Sequence, residues 1–280
     1  MIYKCHMKYI YTILLCCGLA LSGKAQQDST SSPSLTLAAV YGSTANYFGQ
    51  TTEERLPYLM SYGAYQFRNG VYFAAGALTL LNNMNGVASV DLSAGYSFTP
   101  LENLEGNFSY TRSFYQKDAP LLQASNENNI NGELAFTHFF KTGVSADYAF
   151  GKQSDVFVSF TNSKLISLGS FSDKDLISIE PAFSVIGGSQ RFYETYTTEK
   201  NRRKKLLDPL FPGKGPEPET TTVESTEFDV LAYTLSLPLA YNRSNYSVEA
   251  AYQATLAGKK LEGGSDKPVS IFNLSFYYMF

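Results

Sequence analysis

Residues 87–98 read VASVDLSAGYSF. Taken alternately, Val90, Leu92, Ala94, Tyr96 and Phe98 fall on one side, and Ser89, Asp91, Ser93, Gly95 and Ser97 fall on the other. A repeat of two belongs to a β-strand, whose successive side chains point to opposite faces. The same reading holds for NYSVEAAYQATL (245–256), with Tyr246, Val248, Ala250, Tyr252, Ala254 and Leu256 opposite Ser247, Glu249, Ala251, Gln253 and Thr255. GVSADYAF (143–150) sets Val144, Ala146, Tyr148 and Phe150 against Ser145, Asp147 and Ala149. LISIEPAFSV (176–185) sets Ile177, Ile179, Phe183 and Val185 against Ser178, Glu180, Ala182 and Ser184. No helical stripe competes with this pattern.

Working outward from these segments gives twelve expected strands, at 34–42, 57–68, 70–81, 86–98, 104–115, 129–139, 142–151, 154–162, 176–187, 228–241, 244–257 and 269–280. Most approach the ~9–11 residues that a tilted strand needs to cross a bilayer. The composition agrees: charged residues make up 17% and aromatic ones 15%, a balance that suits strands. The connections alternate between short (RNG at 68–70, TPLEN at 99–103, FKTG at 140–143, NRS at 242–244) and longer, as in a barrel with turns at one end and loops at the other. Two connections break the rule. The one at 151–153 is short where length is allowed, and the one at 163–175 is long where a turn is expected. Either KLISLGSF (164–171) extends the neighbouring strands, or the barrel has ten or fourteen strands.

The N-terminus has the layout of an export signal at residues 1–25. Lys4 and Lys8 precede the apolar stretch YIYTILLCCGLALS, and Gly23 and Ala25 offer small residues for cleavage before Gln26. An uncleaved membrane anchor is the alternative. A lipoprotein site at Cys16 or Cys17 is disfavoured by Leu14 and Leu15 before them. Removal of the segment takes away Cys5, Cys16, Cys17, Lys4, Lys8 and Lys24, and leaves His138 as the histidine of residues 26–280. An exported chain without cysteine is stabilised by packing and backbone pairing instead of disulfides. The expected organisation is therefore a cleaved signal (1–25) and one β-barrel (26–280) with a long polar loop at 188–227.

The segment SIFNLSFYYMF (270–280) places Phe272, Leu274, Phe276, Tyr278 and Phe280 on one face. It resembles the C-terminal assembly signal of bacterial outer-membrane β-barrel proteins, in which the last strand is recognised by the barrel-insertion machinery. AQQDS after the expected cleavage site resembles exported proteins of the Bacteroidota. The resemblance implies an all-β fold, a transmembrane antiparallel up-and-down barrel of about twelve strands in the outer membrane of a Gram-negative cell, and a monomer. It identifies no subfamily. Trp is absent, and Tyr and Phe are expected to fill its amphipathic role at the membrane interface. A secreted soluble β-sandwich would share the alternation but stay soluble without detergent.

With the apolar face outward, Asp91, Glu133, Asp147, Glu180 and Glu249 point into the lumen. No Lys or Arg is expected among the inward positions of those five strands. Carboxylates in a confined, watery space favour cations over anions. The first expectation is thus a narrow pore for small polar solutes, with lumen acids that are otherwise simply hydrated or paired with loop cations. The basic run Arg202, Arg203, Lys204 and Lys205 in the long loop suits three roles: a solvated face, a plug, or a contact for lipopolysaccharide phosphates. A non-conducting interaction or adhesion barrel acting through its loops is the second expectation. The third is a barrel enzyme acting on lipid or peptide. His138, in LAFTHFF, is expected at a strand end in register with Leu134 and Phe136, away from any nucleophile, which argues against that chemistry. No metal cluster, phosphate loop or nucleic-acid footprint is legible, and no cofactor is expected; NRS at 242–244 falls in a tight turn and carries no weight as a glycosylation acceptor.

Overall fold

The computed structural model describes residues 32–52, 54–82, 86–117, 119–189, 228–258 and 268–280 of the chain. They form fourteen strands: β1 (Ser34–Gly42), β2 (Tyr58–Gln66), β3 (Val71–Leu80), β4 (Val87–Leu101), β5 (Leu104–Tyr115), β6 (Asn128–Thr137), β7 (Lys141–Phe150), β8 (Ser154–Ser163), β9 (Ile166–Gly169), β10 (Asp175–Ile179), β11 (Ala182–Gly188), β12 (Asp229–Arg243), β13 (Tyr246–Ala257) and β14 (Val269–Met279). Neighbours pair antiparallel around the ring, and β1 closes it on β14. The export segment 1–25 and the basic run 202–205 lie outside the described residues.

Fourteen strands make a twelve-stranded barrel because two wall positions are each interrupted once. β8 and β9 share one position, and β10 and β11 share the next: β11 pairs with β8 and with the first half of β12, whereas β10 pairs with β9 and with the second half of β12. The interruption has a chemical cause. Ala182 stands opposite Ser236 and Ile179 opposite Leu239, so Pro181 and Pro238 both fall in the gap between these pairs. A proline has no N–H to give to the ladder. Only single bonds cross there, from Glu180 N–H to the Pro238 carbonyl (3.2 Å) and from Lys164 N–H to the Pro181 carbonyl (3.1 Å).

This also accounts for the connection that seemed too long. KLISLGSF extends the hairpin as β9, and the true turn is 170–174. The Asp175 carboxylate closes it, accepting from the N–H groups of Phe171 (2.7 Å) and Ser172 (3.0 Å) and from the Ser172 hydroxyl (2.9 Å). The short connection at 151–153 remains short.

The distribution of polarity is inverted relative to a water-soluble domain. Leu92 (49%), Phe108 (55%) and Phe272 (54%) are exposed on the outside, while Ser89 (3%) and Asp147 (7%) are buried inside. Leaving such residues in water would forfeit ~1.5–3 kcal/mol for each large apolar side chain. An exterior of this kind is matched by hydrocarbon, and closure of the ring pairs the long wall strands on both sides, while the short β9 pairs with β10 alone. Near the short turns, Tyr65 packs on Phe67, Tyr246 on Phe276 and Tyr278 on Phe280, with ring centroids 4.9, 6.3 and 4.6 Å apart. Amphipathic rings of this kind suit the membrane–water boundary.

Candidate functional site

The lumen is built by the inward positions of the strands, and each inward side chain is set by the pleat. Asp91 (β4), Glu133 (β6), Asp147 (β7) and Glu249 (β13) occupy inward positions, and Glu180 does so at the gap between β10 and β11. Three further acids lie near them. Glu105 on β5 and Asp155 on β8 face inward, and Glu127 sits just before β6, where it pairs with Arg112 (2.7 Å) on the outside.

The expectation that the walls of those strands carry no inward cation is corrected by Lys141. β7 begins one residue earlier than the alternation suggested, because Lys141 pairs with both Thr137 and Ser163. That puts it on the inward side, where its ammonium meets Glu105 at 2.8 Å and feels the charges of Glu180 and Glu133. Among the described strands, the other basic residues, Arg112 and Arg243, take outward positions. The acids therefore divide into two levels. Glu105, Glu133, Glu180 and Glu249 lie toward the turn end around Lys141, with Glu180 accepting from the Ser163 hydroxyl at 2.7 Å. Asp91, Asp147 and Asp155 lie toward the loop end. Asp147 accepts from the amides of Asn129 (2.9 Å) and Asn131 (3.0 Å). Asp155 is nearly inaccessible and accepts from Asn126 (2.9 Å) and Ser189 (2.6 Å). Both buried carboxylates thus have hydrogen-bond donors in place of water.

At the loop end the lumen is occupied by chain that the alternation could not assign. The connection after β1 turns back into the barrel as a small hairpin. Its base is held by Ala45 N–H to the Leu56 carbonyl (2.8 Å) and Leu56 N–H to Thr44 Oγ1 (3.1 Å), and Tyr47 and Gln50 exchange backbone bonds of 2.8 and 2.9 Å. Phe48 and Gly49 at its tip have φ of 48° and 82°, the left-handed conformation a tight reversal needs. The tip reaches the far wall. Phe48 stacks on Phe157 of β8, the Gln50 amide donates to the Leu231 carbonyl of β12 (2.8 Å), and a Cβ on Gly49 would lie 2.2 Å from that of Ala232.

A bulge in β12 helps to receive it: the register shift between Ile186 and Gly187 leaves Leu231 unpaired, and it joins Phe157, Ala149 and Leu122 in a buried cluster. The segment between β5 and β6, with a single 3-10 turn at Leu122–Ser125, folds over the same mouth. It meets the hairpin's root in a second cluster of Leu56, Leu78, Leu80 and Leu121. Burial pushes the Tyr47 hydroxyl above its ordinary range, while its hydrogen bond with Asn126 acts in the opposite direction.

Below the hairpin, between it and the β11–β14 wall, lies a cavity of about 410 Å3. Toward the turn end, Glu105, Asn107 and Glu133 line a smaller one of about 260 Å3. His138 lines neither. It sits in the exposed turn before β7, where Nδ1 accepts from the Phe140 N–H (3.0 Å) and Nε2 lies 3.3 Å from the Thr142 hydroxyl, between Phe136 and Phe140. Among the described residues, no group of three or more His, Cys, Asp and Glu side chains is placed to hold a metal ion. On the closing strand, Phe272, Leu274, Phe276, Tyr278 and Phe280 all face outward along β14 and just past it.

No protein-family model and no curated protein matches the chain. Solved structures similar in overall shape include the KdgM porin (TM-score 0.48, 8% identity, 88% of this chain and 99% of that one). LpxR from Salmonella typhimurium is similar to the same degree (0.48, 9%, 88% and 100%), as is the COG4313 outer membrane channel from Pseudomonas putida F1 (0.44, 10%, 92% and 99%). These likenesses are too distant to assign a role, and the strand number and closure described above follow from the chain's own pairing.

Proposed function

We propose that the protein is an exported outer-membrane barrel that passes small polar solutes, favours cations, and is narrowed at its loop end by the hairpin at 44–56. The observation that carries this reading is the charge of the lumen. Asp91, Glu105, Glu133, Asp147, Asp155, Glu180 and Glu249 face inward, and on the described strands Lys141 is the basic residue that faces them. A wall of that sign lowers the energy of a cation and raises that of an anion along the same path. The hairpin sets the passage's width, and the polar inner wall supplies hydrogen bonds to a solute leaving bulk water.

The accompanying parts of the reading are the export signal at 1–25, lipid as the partner of the outer face, and β14 with Phe280 as the segment the insertion machinery recognises. The exterior polarity and the outward aromatic row of β14 support these. The test is planar-bilayer conductance of residues 26–280 refolded in detergent, with a salt gradient across the membrane. Discrete steps with a reversal potential of cationic sign are expected. A folded barrel that stays closed, or that prefers anions, would overturn the reading.

A further inference from the structure

The two cavities of the lumen differ in chemistry. The smaller one is lined by carboxylates, whereas the larger, under the hairpin, is lined by no charged residue among the described residues. Its polar lining comes from Thr44, Ser184, Thr234, Ser236, Gln253 and Asn273, which supply hydroxyls and amides that can both donate and accept. Ring and aliphatic surface comes from Phe48, Tyr58, Ile186 and Ile271. The volume falls in the range of small-molecule sites.

Some of the polar groups are already committed: the Thr234 hydroxyl to Thr255 (3.2 Å) and that of Ser184 to Thr161 (2.8 Å). Asn273 Oδ1 is different. It is shielded from solvent and has no hydrogen-bond partner, although it borders the cavity. A buried acceptor left without a donor is costly, and a half-turn of the Asn273 amide would relieve it by presenting this oxygen to a solute hydroxyl.

We propose that this cavity is a binding site for an uncharged, polyhydroxylated solute of about the size of a mono- or disaccharide. The proposal rests on the reading of the barrel as a solute pathway and names the solute class at one point along it. A charged ligand would find no counter-charge among the described lining residues and would lose hydration without compensation. A purely apolar ligand would leave the hydroxyls and amides unpaired. A sugar answers both conditions, because each hydroxyl donates and accepts while its C–H faces lie against Tyr58 and Phe48. The hairpin then acts as the roof of the site as well as the constriction of the pore.

The experiment is calorimetric titration of the detergent-folded barrel with maltose, with glucosamine as a cationic comparison and glucuronate as an anionic one. Saturable maltose binding is expected, with weaker or no binding of the charged sugars. Asn273→Ala and, separately, Ser236→Ala should each weaken it about three- to tenfold, as loss of one neutral hydrogen bond implies. Arg243→Gln, on the outward face of β12, should leave it unchanged. No saturable binding by a folded barrel, stronger binding of glucosamine, or maltose affinity untouched in both cavity variants would overturn the proposal. The measurement does not depend on conductance. A barrel that binds maltose and stays closed keeps the site and removes the pore, and one that conducts without binding does the reverse.

Discussion

The rings of Phe48 and Phe157 lie nearly parallel, 9° apart, with centroids separated by 3.7 Å. One belongs to the hairpin that follows the first strand and the other to the inner wall of β8, so the stack bridges the barrel's interior. Such a pair is worth about 0.5–1.5 kcal/mol beyond the area it buries. Phe48→Ala should therefore increase the time the hairpin spends off the wall by up to about tenfold. Single-channel recordings should show more frequent or larger openings. Gly49→Val gives an independent check: its Cβ would overlap that of Ala232, and φ of 82° disfavours it further. If neither variant changes the conductance, the hairpin is not the constriction.

Tyr47 makes the same seat sensitive to pH. Its hydroxyl is held protonated by burial beyond the point at which a free tyrosine ionises, near pH 10. The seated hairpin thus binds the proton more tightly than the unseated one. Its seating is at full strength below pH ~10 and is lost progressively as pH rises above that value. Conductance should climb over this interval in the native protein and stay flat in Tyr47→Phe. A climb of equal size in Tyr47→Phe would assign the effect to other groups.

Lumen selectivity should respond to charge with a predictable sign. Lys141→Gln removes the inward ammonium beside Glu105 and should raise the preference for cations, whereas Glu133→Gln or Glu249→Gln should lower it. One charge a few ångströms from an ion in a watery path is worth on the order of 1 kcal/mol. Each change should move the permeability ratio by less than about tenfold, read as a shift in reversal potential. Shifts of the same sign for Lys141 and the two glutamates would rule out an electrostatic filter here.

Asp147 has a structural role that is separable from selectivity. Asp147→Ala removes the acceptor shared by the half-buried Asn129 and Asn131 amides, and leaving them unpaired costs on the order of 1 kcal/mol each. The denaturant midpoint of the folded barrel in detergent should fall clearly. Asp147→Asn, which keeps an acceptor oxygen, should recover most of it.

Strand alternation made the wall legible, because a bilayer outside and water inside force every second side chain to differ. Val90, Leu92 and Tyr96 announced their face as plainly as Asp91 and Ser93 announced theirs. The even count survived as twelve wall positions, but the two strands broken near Pro181 and Pro238 were not separable from their continuations, since the gap does not disturb the period of two. Lys141 was missed for the smallest of reasons: it stands at a strand's first residue, where a turn and a strand read alike.

The inward hairpin was illegible for a deeper reason. Residues 44–56 have no period, and the marks of their placement (Phe48 and Gly49 with positive φ, Gly49 against Ala232) depend on a wall that is distant in sequence. The adjacent aromatics Tyr47 and Phe48 inside a loop were the signal available.

The root of that hairpin is tied to the closing strand: Ser43 N–H donates to the Phe272 carbonyl and Phe272 N–H donates to Ser43 Oγ, both at 2.9 Å. Its tip needs β8 and β12 as well. While β1 and β14 are still apart, the Ser43–Phe272 bonds do not exist, and the Gln50 bond to Leu231 has to reach across the open seam. The hairpin thus works as a clasp on the barrel's seam: it holds the first strand's half of the wall to the last strand's half.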